Sequence, residues 1–229
     1  ITLTVNGHLD AAPVQVFSGL GTVVFGTETP EVYAEWWGAA ADNATECGPA
    51  LNAAINAADP VGGTVRLLSG TYKFATTLTP GSTFALAIRG TGQSSGGSRL
   101  SYTGTGSAID LAGASRTMLE DFRLEKTNGT AAVGVNAASG NVGNYALSRL
   151  TIAGSAGNGF TKCMVLGDQG AANSSLYDMT FQPAADTAGH IGLSIEDVQT
   201  VVVNLYSCSF VNAYIGLTNQ EGGVQGYGN

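Results

Sequence analysis

Charge is what this chain has least of. Lys, Arg, Asp and Glu together make up 11% of its 229 residues, under half the usual share of about a quarter. The nine basic residues are scattered and the formal net charge is −8. No basic cluster exists to meet a phosphate backbone or an anionic membrane surface, which excludes nucleic acid and membrane as partners. Apolar runs are short, and none reaches the roughly 20 residues needed to cross a bilayer. Cysteine is sparse. Cys47, Cys163 and Cys208 are odd in number and lack metal-ligand spacing, so neither a disulfide framework nor a zinc site is expected. The two histidines, His8 and His190, are isolated, and no Ser/His/Asp or Cys/His arrangement accompanies them. No cofactor or metal is implied. Proline is scarce at 6 residues. No signal peptide is present, and a chain starting at Ile1 reads as missing its own N-terminus.

What is present is glycine, at 33 residues, and a hydrophobic fraction of 44%. That fraction excludes disorder and supports a sizeable core. Small residues between short apolar runs describe many tight turns and few helices. In residues 1–34, Val14 and Val16, then Val23 and Phe25, alternate with polar or small residues, which predicts a β-rich lead-in with Gly19 and Gly21 at a turn. One helix is expected over 48–58. Leu51, Ala54, Ile55 and Ala58 share a face, Pro49 fits the first turn, and Thr45 or Glu46 can supply a capping oxygen. Asp59-Pro60 ends it. From about residue 64 the pattern is of short strands: Val65 and Leu67, Tyr72 and Phe74, Phe84, Leu86 and Ile88, with a turn-rich stretch over 90–97.

The strongest signal is a repeat. Four segments beginning at Leu119, Leu147, Leu176 and Leu205 superimpose without gaps, at offsets of 28, 29 and 29 residues. They share apolar columns 119/147/176/205, 122/150/179/208 and 124/152/181/210, so Cys208 reads as a core residue. A looser set follows: Val133-Gly134-Val135, Met164-Val165-Leu166, Ile191-Gly192-Leu193 and Ile215-Gly216-Leu217. A repeat of this length marks a solenoid. Leucine-rich repeats need a Leu/Asn pattern that is absent, and a propeller blade needs about 40 residues. A single-stranded parallel β-helix fits, with coils stacked at about 4.8 Å and like side chains in internal rows. Its open end exposes strand edges, and the 48–58 helix is placed to cap it.

Two further columns face outward. Asp121, Arg149, Asp178 and Ser207 alternate in charge, which describes either a glycan strip or a weak stabilising ladder, the second being favoured. Glu120, Ser148, Tyr177 and Tyr206 place two tyrosines on adjacent coils, either as a sugar platform or as a packing surface. Tyr177, Tyr206, Asp178 and Glu120 are therefore the candidate glycan contacts. Glycoside hydrolysis needs two facing carboxylates. Asp178, Asp186, Glu196 and Asp197 are available, but no spacing singles out a pair, so the catalytic residues stay unknown and the charges read as solvated. Trp36 and Trp37 read as core or interface residues.

Several stretches carry a resemblance. Glu35-Trp36-Trp37-Gly38-Ala39 with Asp42, then the helix, then Gly62-Gly63-Thr64-Val65-Arg66-Leu67 and Gly70-Thr71-Tyr72, and Ile88-Arg89-Gly90-Thr91-Gly92 resemble the N-terminal part of the pectate-lyase-like β-helix superfamily. The lead-in Gln15-Val16-Phe17-Ser18-Gly19-Leu20-Gly21-Thr22-Val23 resembles bacteriophage tailspike and tail-fibre members. The likeness covers roughly 15–100. The chain departs from it in a short acidic loop, Asp42-Asn43-Ala44-Thr45-Glu46-Cys47, and in Leu68-Ser69 where the family has prolines. These motifs are structural and carry over no catalytic residue. The resemblance implies an all-β, right-handed β-helix domain over 35–229; because the sequence stops soon after the fourth repeat begins its second strand, with no cap evident, a C-terminal truncation, or closure by another element, is expected. The resemblance also implies a homotrimer in a virion tail, among other tail or baseplate proteins, that binds host polysaccharide, with depolymerisation left open. A secreted polysaccharide lyase or glycoside hydrolase, and a non-catalytic fibre or adhesin module, are the alternatives.

Overall fold

The computed structural model describes residues 1–229 except 20, 30, 82–84, 112, 115, 139–143, 155–156, 168–173, 185–188, 197–199, 220–221 and 228–229. Phe84, Asp186 and Asp197 therefore lie outside the described residues. The chain winds as a parallel β-solenoid, and its coils have three faces. The first face stacks Glu31–Tyr33, Thr64–Arg66, Ala87–Arg89, the front halves of Met118–Lys126 and Ala146–Gly154, then Ser174–Tyr177, Thr200–Tyr206 and Gly222–Tyr227. The second stacks Asp42–Glu46, Gly70–Phe74, Ser98–Tyr102, the back halves of the same two long strands, Thr180–Gln182 and Ser209–Phe210. The third stacks Ser107–Asp110, Thr130–Ala137, Gly159–Leu166, Ile191–Ile195 and Ile215–Asn219.

The register is the one the repeat predicts. Leu119, Leu147, Leu176 and Leu205 are partners in turn, and Ile88, Val65 and Val32 extend the row upward. Leu124, Ile152, Phe181 and Phe210 form a second row. Each fully buried leucine contributes about 1.5–3 kcal/mol of hydrophobic stabilisation, and a row shares that burial between coils. On the third face the looser set needs correction. Val133 pairs with Lys162 and Val135 with Met164, so Met164-Val165-Leu166 is displaced by two residues from its true place. A two-residue slip keeps every side chain on its own face, which is why alternation alone does not detect it.

Leu119 and Phe122 both point inward although three residues apart, which a flat strand cannot do. The chain turns a corner between them at Asp121 (φ 60°), and the equivalents Arg149, Asp178 and Ser207 have φ of 52°, 51° and 52°. These four residues form a column of left-handed backbone, which costs an L-residue roughly 1–2 kcal/mol at each position. The corner is thus specified by the spacing of buried residues on either side of it, against the local preference of the residue that makes it.

The α-helix Gly48–Ala58 buries Leu51, Ala54, Ile55 and Ala58. It packs on Thr22–Phe25, Glu31–Tyr33 and the 3-10 turn Ala34–Trp37, so it covers the end of the stack. Glu46, not Thr45, supplies the capping oxygen. Glu46 Oε1 accepts from the amide of Gly48 at 3.1 Å, whereas Thr45 donates its hydroxyl to Asp42. A 3-10 turn, Asp59–Val61, follows the helix and closes on Gly62 at φ 65°. In the lead-in, Thr22–Phe25 is a strand as expected, but its parallel partner is Thr2–Val5. Val14 and Val16 lie outside any strand and are exposed. Trp36 is buried among Phe17, Phe25, Tyr33 and Trp37, and its indole N–H donates to Ala12 O at 3.1 Å.

Beneath this cap, Glu35 is 7% exposed. Its Oε1 accepts from the Tyr72 hydroxyl, and its Oε2 is buried without a partner. Burial holds the carboxyl above its ordinary 4.5, against the lowering effect of the Tyr72 bond. A carboxyl with a raised folded pKa favours folding below about 4.5, and that contribution is lost as pH climbs through the folded value. Glu35→Gln is therefore expected to raise the melting temperature more at pH 8 than at pH 4, read by calorimetry at both pH values. At the corner, stability is expected to rank Ser207→Gly at or above wild type, with Ser207→Val lower by about 2 kcal/mol in urea unfolding, because a β-branched residue tolerates φ > 0 least.

Candidate functional site

The first face ends each coil in an outward residue just before the corner. Strand register aligns Tyr33, Arg66, Arg89, Glu120, Ser148, Tyr177 and Tyr206 in one column. Beside it runs the corner column of Asp121, Arg149, Asp178 and Ser207. The four residues picked out from sequence, Tyr177, Tyr206, Asp178 and Glu120, therefore lie on two adjacent columns of one surface.

The upper part of this surface is a network of ion pairs. Arg66 reaches Glu31 at 3.4 Å, Arg89 reaches Glu120 at 2.8 Å, and Arg149 lies 3.9 Å from Glu120. Arg149 also forks onto Asp121, with Nε to Oδ1 at 2.5 Å and a second nitrogen to Oδ2 at 2.9 Å. Two parallel bonds between planar groups fix orientation as well as distance. The hydrogen bond from Arg149 holds the Asp121 carboxyl below its ordinary range, and the same bond raises the guanidinium pKa. Asp121 is thus held ionised and is a poor proton donor. The Glu120 side chain is 17% exposed and meets both arginines through Oε2, with a hydrogen bond from Arg89 and a longer ion pair to Arg149.

The lower part is aromatic. The rings of Tyr177 and Tyr206 lie 4.5 Å apart at 4°, stacked on each other along the solenoid. Each ring covers the inner face of the other. One open face of the pair is that of Tyr177 turned towards Ser148, the next residue up the column. Serine is small, and Tyr177 is 43% exposed. Ser148 stands next to Tyr177 in the column and Asp178 follows Tyr177 at the corner, so an aromatic face, a hydroxyl and a carboxylate are neighbours on one surface. A pyranose ring, with an apolar C–H face and a polar rim, can be met by such groups.

Glu196 lies on the third face, bonded by Lys162 Nζ and by the hydroxyl of Ser194. It is far from Asp178 in the coil and makes no carboxylate pair with it. Among the described residues no group of His, Cys, Asp and Glu is arranged to hold a metal ion, and the three cysteines are free.

No family model matches the sequence, and no curated protein is similar to it. Three solved structures show the extent of the structural likeness. ORF18 of Geobacillus virus E2 is 12% identical with a TM-score of 0.40, over 85% of this chain and 58% of that one. A proposed glycosyl hydrolase of Parabacteroides merdae is 12% identical with a TM-score of 0.45, over 85% and 96%. The mannuronan C-5 epimerase AlgE6 A-module of Azotobacter vinelandii is 16% identical with a TM-score of 0.40, over 84% and 57%. The chain thus spans under two thirds of the virus protein and of the epimerase module. Overlap of this depth carries no argument about chemistry, and the solenoid rests on its own strand register.

One element of the site was not legible in the sequence. Later coils turn the corner with a single residue, but the coil at Ala87–Arg89 does so with the loop 90–97. This loop hangs down the corner as a strap. The Gly90 and Gly92 amides donate to the carbonyls of Glu120 and Asp121 at 2.9 and 2.7 Å. A Cβ on Gly90 would sit 2.3 Å from Asp121 O, so only glycine allows this approach. At the strap's tip, Gln93 Nε2 donates to Asp178 Oδ2 at 3.3 Å, and Gln93 Oε1 accepts from Thr151 at 3.1 Å. The strap thereby places an amide against the one carboxylate of the lower site. The glycine density of 90–97 is visible in the sequence, but its reach across later coils is not. Gln93→Ala is expected to lower stability by no more than about 1 kcal/mol while raising amide hydrogen exchange in residues 90–97 above wild type.

Proposed function

We propose that this chain is a glycan-binding β-solenoid, part of a phage tailspike or tail fibre that engages polysaccharide on the host surface. The observation that carries the reading is the stacked pair Tyr177 and Tyr206, with an open ring face beside Ser148, Asp178 and the strap. Tyr177 supplies the apolar platform, and its stacking partner Tyr206 keeps the ring from swinging. Asp178 accepts hydrogen bonds from sugar hydroxyls, and charge-assisted bonds of this kind are about twice as strong as neutral ones. Glu120 fixes Arg89 and Arg149 at the upper rim. Three chains side by side, as in tailspikes, would present three such columns, and repeated weak contacts with a polymer add through multivalency. Cleavage of the polymer is not part of the proposal: Asp121 is held ionised by Arg149, and among the described residues no facing acid is paired with it.

The test is a binding titration against polysaccharides extracted from candidate host surfaces, with the mass in solution measured alongside. The expected mass is three times 23.2 kDa. Tyr177→Ala is expected to weaken binding by about 10-fold or more, equivalent to losing one aromatic platform. Tyr214→Ala, which removes another exposed tyrosine at 56% exposure, is expected to leave it unchanged. Equal binding by wild type and Tyr177→Ala, or no binding of any polysaccharide, would remove the basis for this reading.

A further inference from the structure

The ion pairs around the site bear on which glycans it takes, an inference that rests on the tyrosine platform proposed above. Acidic polysaccharides are held by free cations, since a carboxylate leaving water needs a positive partner to offset its desolvation. The described outward residues of the first face and its corner supply three guanidiniums, Arg66, Arg89 and Arg149. Each is already engaged by a carboxylate: Arg66 by Glu31, Arg89 by Glu120 and Arg149 by Asp121. Asp178 adds a fourth carboxylate, partnered by an amide rather than by a cation. No lysine lies in these columns. The surface thus carries a small excess of negative charge inside a chain of net charge −8, and a polyanion is repelled at long and at short range.

We propose that the site takes an uncharged glycan, read through its hydroxyls and its C–H face, and excludes uronate polymers. The charges that remain are arranged for that task. Carboxylates held ionised by arginine are strong acceptors for sugar hydroxyls, and a guanidinium with donors left over after pairing gives a matched donor at the other rim. Asp178 and Gln93 form a similar acceptor and donor pair on the strap side. Selectivity comes from the paired state of Arg149, which turns a site of acid capture into one of hydroxyl recognition. Round the corner, on the second face, Arg99 and Arg123 share the single carboxylate of Glu125. That is the one described cluster near the site with a surplus positive charge, and it serves as an internal control.

The experiment measures binding of soluble uncharged polymers (glucan, galactomannan, rhamnan) and of polygalacturonate and alginate, at about 20 mM and about 0.5 M sodium chloride, since screening separates Coulombic from hydroxyl recognition. Wild type is expected to bind from the uncharged set only, with less than about a twofold change across that salt range. Asp121→Asn, which the left-handed backbone accepts, removes the forked partner of Arg149, leaves it the 3.9 Å contact with Glu120, and is expected to gain salt-sensitive uronate binding. Uronate binding by wild type that is lost in Tyr177→Ala would overturn the uncharged class while leaving the tyrosine site standing. Uronate binding that survives Tyr177→Ala but is lost in Arg123→Gln would put that ligand on the second face and uphold its exclusion from the tyrosine site. A folded Asp121→Asn protein, checked by circular dichroism, with no gain for uronate would refute the role of the paired Arg149. No binding in either set would remove both this inference and the reading it rests on.

Discussion

Parallel stacking in strict register is the constraint from which the rest of this molecule follows. When each coil lies one strand spacing above the next, a residue's main neighbours are its counterparts one repeat away. Leu147 touches Leu119 and Leu176, and the apolar rows cohere because the same choice is made in every coil. The same rule governs the outside. Tyr177 meets Tyr206, Arg149 meets Asp121, and Arg89 meets Glu120 because register delivers them to one another. The candidate site therefore needed no dedicated scaffold. It is the outer surface of the core's own repeat, positioned by backbone hydrogen bonds that the interior already requires.

The corner is where this economy meets local strain. Four non-glycine residues sit in left-handed backbone at Asp121, Arg149, Asp178 and Ser207, held there by buried partners on both sides. Strained backbone persists only where the surroundings over-determine it. Here that strain coincides with the polar column of the site and gives it an unusually fixed direction. A side chain leaving a rigid left-handed corner has fewer options than one on an exposed loop, which favours the preorganised geometry that sugar recognition demands. The strap works in the same sense. By donating backbone amides to the corner carbonyls and the Gln93 amide to Asp178, it ties three coils together at the place where the ligand would press. The cap follows another logic. Its helix and aromatic cluster shield strand edges that would otherwise recruit other chains, and the buried Glu35 and Tyr72 are a polar pair enclosed by that shield.

How far the fold could be read in advance depended on which distances the repeat encodes. The rows through Leu119 and Leu124 were legible because large apolar residues recur at 28 or 29 positions and nothing else in the repeat imitates them. The third face was read two residues out at Met164-Val165-Leu166, since Lys162 interrupts the apolar row and a slip of two preserves the inward face. Thr45 and Glu46 were equal as capping candidates by composition. Asp42 decided between them by taking the threonine hydroxyl. The two tyrosines were legible as neighbours on adjacent coils, and a column of identical rings also brings those rings into contact with each other.

By itself the sequence determined the winding, the rows of the core, the capping helix and the two outward columns that hold Tyr177, Tyr206, Asp178 and Glu120. All of these are periodic or local, and period and local chemistry are what a linear chain displays. Only the tertiary structure decided the rest: the left-handed corner, the pairing of the described arginines of the first face, the contact between the Tyr177 and Tyr206 rings, and the descent of the 90–97 strap to Asp178. Gln93 and Asp178 stand 85 positions apart and share no period. Their meeting depends on the angle at which a glycine-rich loop leaves one coil, and that angle is set by packing and backbone geometry that no residue spacing records.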